Sequence, residues 1–193
     1  NEYMSILINS VRISGFRGIK EIEVELGRIA VLLGTNNAGK TSFLKSLQLA
    51  LGDYQRYFSD EDLHIDSSGL KVNEVIVDLK IIPTDEHYNK TEEFDEKWID
   101  VFGDNIAVDA NGHEFVAIRT KVQPDEIKGG FNTQRYYLNE WGEFEGWKEI
   151  VVNERRKVRT KVDAIPYICI EAQRDIHHEL KDKSSYIGKV LSY

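Results

Sequence analysis

Cysteine is almost missing from this chain: Cys169 is the only one among 193 residues, which excludes a disulfide framework and a cysteine-rich metal site. Long apolar runs are missing too. No stretch approaches the roughly 20 residues that cross a bilayer, and no charged-apolar-cleavable pattern opens the chain, so the expected setting is the cytoplasm, with no membrane partner. Positive charge is in deficit. A net charge of −8 creates no overall field for a nucleic acid, so such contacts would need a local basic cluster or another part of a larger protein. There is no internal repeat and no low-complexity segment. What remains is globular in composition, 41% hydrophobic and 30% charged, enough for one domain or one large lobe. Met4 reads as the natural start.

The most informative segment is Gly34-Thr35-Asn36-Asn37-Ala38-Gly39-Lys40-Thr41, a complete G-x-x-x-x-G-K-[ST] phosphate-binding loop. It follows the apolar run Ile29 to Leu33, which reads as a buried parallel strand. It precedes Ser42 to Leu51, which reads as an amphipathic helix with Leu44, Leu47 and Leu51 on one face and Gly52 as its stop. Strand, loop and helix are the context that the motif's chemistry requires. The glycines let backbone amides approach phosphate oxygens, and the positive end of the helix adds to that cradle. The predicted nucleotide contacts are Gly34, Asn36, Asn37, Ala38, Gly39, Lys40, Thr41 and Ser42. Lys40 is expected at the β- and γ-phosphates, and the Thr41 hydroxyl at Mg²⁺. ATP and Mg²⁺ are thus the expected cofactors.

Elsewhere the pattern predicts strands over Ile6 to Ile13 and Ile19 to Leu26, the second with Glu21, Glu23 and Glu25 on a wet face. Alternation over Val72 to Ile82, His113 to Val122 and Gln134 to Leu138 predicts an added antiparallel β-layer within about 53 to 163, and Glu92 to Phe102 reads as a short helix. A buried strand over Ile165 to Ile170 and a helix over Ile176 to Leu191 complete the expectation of an α/β fold.

Several weaker signals have plainer readings. Val75-Ile76-Val77-Asp78 has the look of an apolar strand ending in a metal-holding aspartate, but alternation continues to Ile81, which favours a wet-faced strand. Asp60, Glu61, Asp62 and His64 read as an acidic surface loop rather than a metal site. Arg155, Arg156, Lys157, Arg159 and Lys161 form a basic cluster, read as a solvated strand or connector in preference to a phosphate track.

The opening segment Arg12-Ile13-Ser14-Gly15-Phe16-Arg17-Gly18-Ile19-Lys20, together with Gly34 to Leu47, resembles the amino-terminal ATPase half of the RecF, SMC and ABC-type ATPases. Asn36 to Ala38, Phe58 to Asp62 and Tyr167 to Asp175 resemble the OLD (overcoming lysogenization defect) family of ATP-dependent endonucleases within that group. The resemblance implies an ABC/SMC-type P-loop NTPase lobe with a mixed central sheet. Two such lobes would close as a homodimer around ATP in a full-length protein that acts on DNA. It also implies a Q-loop role for Gln173 in the Mg²⁺ shell, with an ordinary surface glutamine as the alternative. Arg17 is expected near the edge of the nucleotide, because the strand that carries it precedes the loop strand.

The L-S-G-G signature, an apolar run ending in Asp-Glu and a Toprim pattern do not occur, so residues 4 to 193 read as a partial ATPase domain of a larger protein, with negligible turnover alone. The alternative is a nucleotide-sensing regulatory module of a toxin or defence complex without its own hydrolysis.

Overall fold

The computed structural model describes residues 5–25, 37–52, 57–87 and 89–158. Strands β1 (Ser5–Phe16) and β2 (Ile19–Glu25) form a hairpin, and helix α1 spans Asn37–Leu51. After these come β3 (Val75–Thr84), the short helix α2 (Glu96–Phe102), β4 (Ala107–Val108), β5 (Glu114–Pro124) and β6 (Phe131–Leu138). Among the described residues the strands make one six-stranded sheet in the order β2-β1-β3-β5-β4, with β6 also paired to β5, and each of these pairings is antiparallel. The architecture is mixed α/β. The strands expected as an added layer share this sheet with β1 and β2, because β3 pairs directly with β1. The predicted parallel strand at 29 to 33, and the strand and helix expected beyond 163, lie outside the described residues.

Register explains which apolar residues meet. Val11 lies opposite both Val24 and Leu79, and Ile13 opposite both Ile22 and Val77, so these side chains share one face. A bulge between Ile8 and Ser10 inserts one extra residue, which keeps Ile8 and Val11 on that face although they are three positions apart. Ile118 opposite Leu79, and Val122 opposite Val75, extend the same surface into β5. Onto this region packs α1, burying Phe43, Leu47, Ala50 and Leu51. Each such side chain contributes about 1.5–3 kcal/mol when fully removed from water.

The end of α1 is tied to the sheet. Arg135 of β6, buried, donates from Nη2 to the Leu49 carbonyl at 2.8 Å and from Nε to the Ala50 carbonyl at 3.3 Å. A cation there satisfies carbonyls that the helix itself leaves open and complements the negative end of its dipole. This fixes the axis of α1, and with it the position of the helix's opposite end.

The other face of the sheet carries charge. Arg12, Asp78 and Arg119 are buried at 2%, 0% and 2% exposure, on strand positions alternating with the core residues. Arg119 grips Asp78 in a two-pronged ion pair, both contacts at 2.9 Å, and also donates to the carbonyls of Trp147, Lys148 and Ile150. Arg12 pairs with Glu23 and donates to the carbonyls of Trp141 and Gly142. The fully buried Trp147 donates through Nε1 to Glu21 at 2.6 Å. Residues 141 to 150, which contain only the single 3-10 turn Trp147–Glu149, are thereby strapped across the sheet by two arginines. The expected wet face of β3 is therefore corrected: its polar residue is an aspartate enclosed beneath this strap. On β2 the glutamates do keep an exposed face.

Candidate functional site

Backbone of α1 turns helical at Asn37, inside the phosphate-loop motif, so Gly39, Lys40 and Thr41 occupy its opening turn. The leading amides of a helix are directed outward at its positive end, where they suit an anion. Thr41 is exposed, while Ser42 is buried at 7%. Nothing acidic stands in the first turn to compete for an anion. Gly34 and Asn36 lie outside the described residues, as does Gln173.

Ser42 opens onto a cavity of about 720 Å³ whose wall also includes Arg17, Asp62, Leu63, His64 and Ile65. Two chain segments distant in sequence form that wall. The first is the β1–β2 turn, Arg17-Gly18. The second runs from Ser59 to Ile65 and contains the 3-10 turn Asp60–Asp62. Arg17 N donates to the Asp62 carbonyl at 2.7 Å, and His64 N to the Gly15 carbonyl at 3.0 Å. Gly15 is required here: with φ of +79°, a Cβ at this position would lie 2.3 Å from the Glu74 carbonyl oxygen.

Side chains reinforce the seam. Arg17 Nε donates to Asp62 Oδ1 at 2.8 Å, while the other oxygen of Asp62 accepts from Ser59 N at 3.0 Å. His64 Nδ1 donates to the Arg17 carbonyl at 2.7 Å. From behind, Phe58 packs between Phe16 and Phe131, with ring centroids 6.2 and 4.8 Å away. The acidic loop expected at 60 to 64 is thus only partly a surface feature. Asp60 and Glu61 are exposed, but Asp62 is buried at 2% and committed to Arg17. Among the described residues, no three His, Cys, Asp or Glu side chains gather as metal ligands.

The basic cluster begins in a turn, and its backbone becomes extended at Lys157, which bridges antiparallel to Tyr136. Glu154–Arg156 is a 3-10 turn; Arg155 and Lys157 are exposed, while Arg156 donates to Asn105 Oδ1 at 3.3 Å. Arg159 and Lys161 lie outside the described residues.

Two features escaped the sequence reading: the Arg17–Asp62–His64 seam and the Asp78–Arg119 pair. A charged residue recurring at inward strand positions, as with Arg12, Asp78 and Arg119, was the available signal for the second. For the first there was none, since its members are 45 residues apart or more in the pairing of Arg17 with Asp62.

Residues 6–186 match a family described as a protein of unknown function, DUF2813. The chain belongs to that family. Beyond the DUF2813 match, a shorter segment is similar to an uncharacterized protein, MJECL10, of Methanocaldococcus jannaschii, 46% identical over 46 residues, covering 23% of this chain and 21% of that protein. Another is similar to the OLD nuclease of Thermus scotoductus, 34% identical over 47 residues, covering 24% of this chain and 9% of the nuclease. These two similarities are confined to short segments, and they span only a small part of the two relatives' lengths. Among the described residues, no helix is long and apolar enough to cross a membrane.

Proposed function

We propose that this chain is the ATP-binding P-loop lobe of an ABC/SMC-like ATPase that controls a DNA-processing protein of the OLD endonuclease type. One observation carries the reading: the phosphate-loop motif leads directly into α1, whose start carries Gly39, Lys40 and Thr41 and whose Ser42 lines a cavity of about 720 Å³. The volume is of the size that accommodates a ligand. Similarity to the Thermus scotoductus OLD nuclease supports the family side of the reading.

The donor set fits a metal-bound triphosphate. Gly34, Asn36, Asn37, Ala38 and Gly39 would present amides to phosphate oxygens, Lys40 would neutralise the β- and γ-phosphates, and Ser42 would close the cavity floor. Thr41, exposed on the opening turn, and Gln173 would hold Mg²⁺, which supplies charge neutralisation between phosphate oxygens. Arg17, which lines the same cavity as Ser42, would bring a second cation. In the whole protein two such lobes would associate through the nucleotide, and DNA would engage other parts of the assembly.

Thermal unfolding with and without Mg-ATP tests this. A ligand at a hundred times its dissociation constant stabilises by about 2.7 kcal/mol, which raises Tm by roughly 5–10 °C for a domain of this size. Lys40→Ala should abolish the shift. An equal shift in that variant would remove the motif from the binding site.

A further inference from the structure

Arg17 is the only non-glycine residue with positive φ among the described residues, at 51°, and it stands on the cavity wall. A side chain held in this sparsely populated conformation needs surroundings that over-determine it. Asp62 and His64 supply them. Its amide and its Nε both bond to one residue, Asp62, and its carbonyl accepts from His64. Asp62 in turn is fixed by Ser59 N, and the side chain of Arg17 keeps 28% exposure while that of Asp62 keeps 3%.

A buried carboxylate that accepts from the Nε of a partly exposed guanidinium constrains how that group is oriented. The strain then has a use, since the left-handed turn presents Arg17 on the same wall as Ser42 of α1.

We infer that Asp62 is a positioning residue for the ligand site: with His64 it locks Arg17 in its left-handed turn, so that the guanidinium meets the polyphosphate of a nucleotide seated at α1. This rests on the nucleotide reading given above and adds the residue that orients the second cation. Asp62 does not touch the ligand; it acts through Arg17. Its effect on affinity must therefore vanish when Arg17 is gone, which a merely structural residue would not show.

The test is a double-variant cycle on the full chain, titrated with Mg-ATP by calorimetry, using Arg17→Ala, Asp62→Asn and both together, with Lys40→Ala alongside. Asp62→Asn keeps an oxygen for Ser59 N and removes the charge that holds Nε. Loss of a charge-assisted contact should weaken binding about tenfold or more. The expected result is a loss of that order in each single variant, and a double variant no weaker than Arg17→Ala. Additive losses, or an Asp62→Asn protein that binds like the parent, would overturn the inference.

Should Asp62→Asn fail to fold, Arg17→Gln provides a second arm at a partly exposed position, and unchanged affinity there overturns the inference equally. Lys40→Ala separates the two levels. If it abolishes binding while the cycle is additive, only the role of Asp62 falls; if it binds like the parent, the nucleotide reading falls and this inference with it.

Discussion

Replacing Arg119 by methionine should do more damage than any surface change, and in a pH-dependent way. The guanidinium is 2% exposed and supplies both prongs to Asp78 and donors to three strap carbonyls. Methionine approximates its volume but donates nothing. An uncompensated buried carboxylate is left behind, a change that costs about 3–5 kcal/mol against a total stability of about 5–15 kcal/mol. In urea, with a slope of ~2 kcal/mol/M, the midpoint should fall by roughly 2 M.

Burial already pushes the Asp78 carboxyl above its ordinary value of 3.8, opposed by the hydrogen bonds and charge of Arg119 and by the charge of Arg12. Without Arg119 it rises further. Between 3.8 and that raised value the folded variant retains a proton that the unfolded chain has lost, so its stability declines as pH rises through the window. The deficit relative to the parent should be largest at neutral pH and shrink on acidification toward pH ~5. Adding Asp78→Leu should recover part of the loss, because an apolar replacement removes the stranded charge. A deficit below ~1 kcal/mol, or one that stays constant with pH, would refute the view that this pair closes the strap.

Gly15→Ala should destabilise by more than 1 kcal/mol, since it combines a left-handed φ with an overlap onto the Glu74 carbonyl; chemical denaturation reads this, and a neutral result would show that the β1–β2 turn adjusts freely. Exposed loop aspartates should contribute a small part of the acid sensitivity. In Asp66 a hydrogen bond from Ser68, and in Asp85, Asp109 and Asp125 backbone amides of Asn89, His113 and Lys128, hold the carboxyls below the ordinary 3.8. The unfolded chain then binds more protons below that value, so stability contributed above it is lost as pH falls further, and replacing Asp125 with Asn should flatten the acid limb of a pH–Tm profile. Ile127, 96% exposed at the β5–β6 turn, should accept Asp with a change within about 0.5 kcal/mol; a larger loss of stability on denaturation would mean that the turn is packed against something.

The helix over 37–51 and the alternating strands were legible because each depends on a short-range rule: a 3.6-residue period and a 2-residue period. α1 ends at Leu51, one residue before the expected glycine stop, and β3, β5 and β6 fall on their predicted alternating runs with ends shifted by a few residues. Pairing was not legible, because an alternating strand specifies which side chains share a face and not which strand lies beside it. Only the tertiary structure brought Asp78 against Arg119 across 41 positions and Arg17 against Asp62 across 45. Composition named the charged groups, but burial decided that those four would be partners, since a charge removed from water must find its opposite wherever the fold places it.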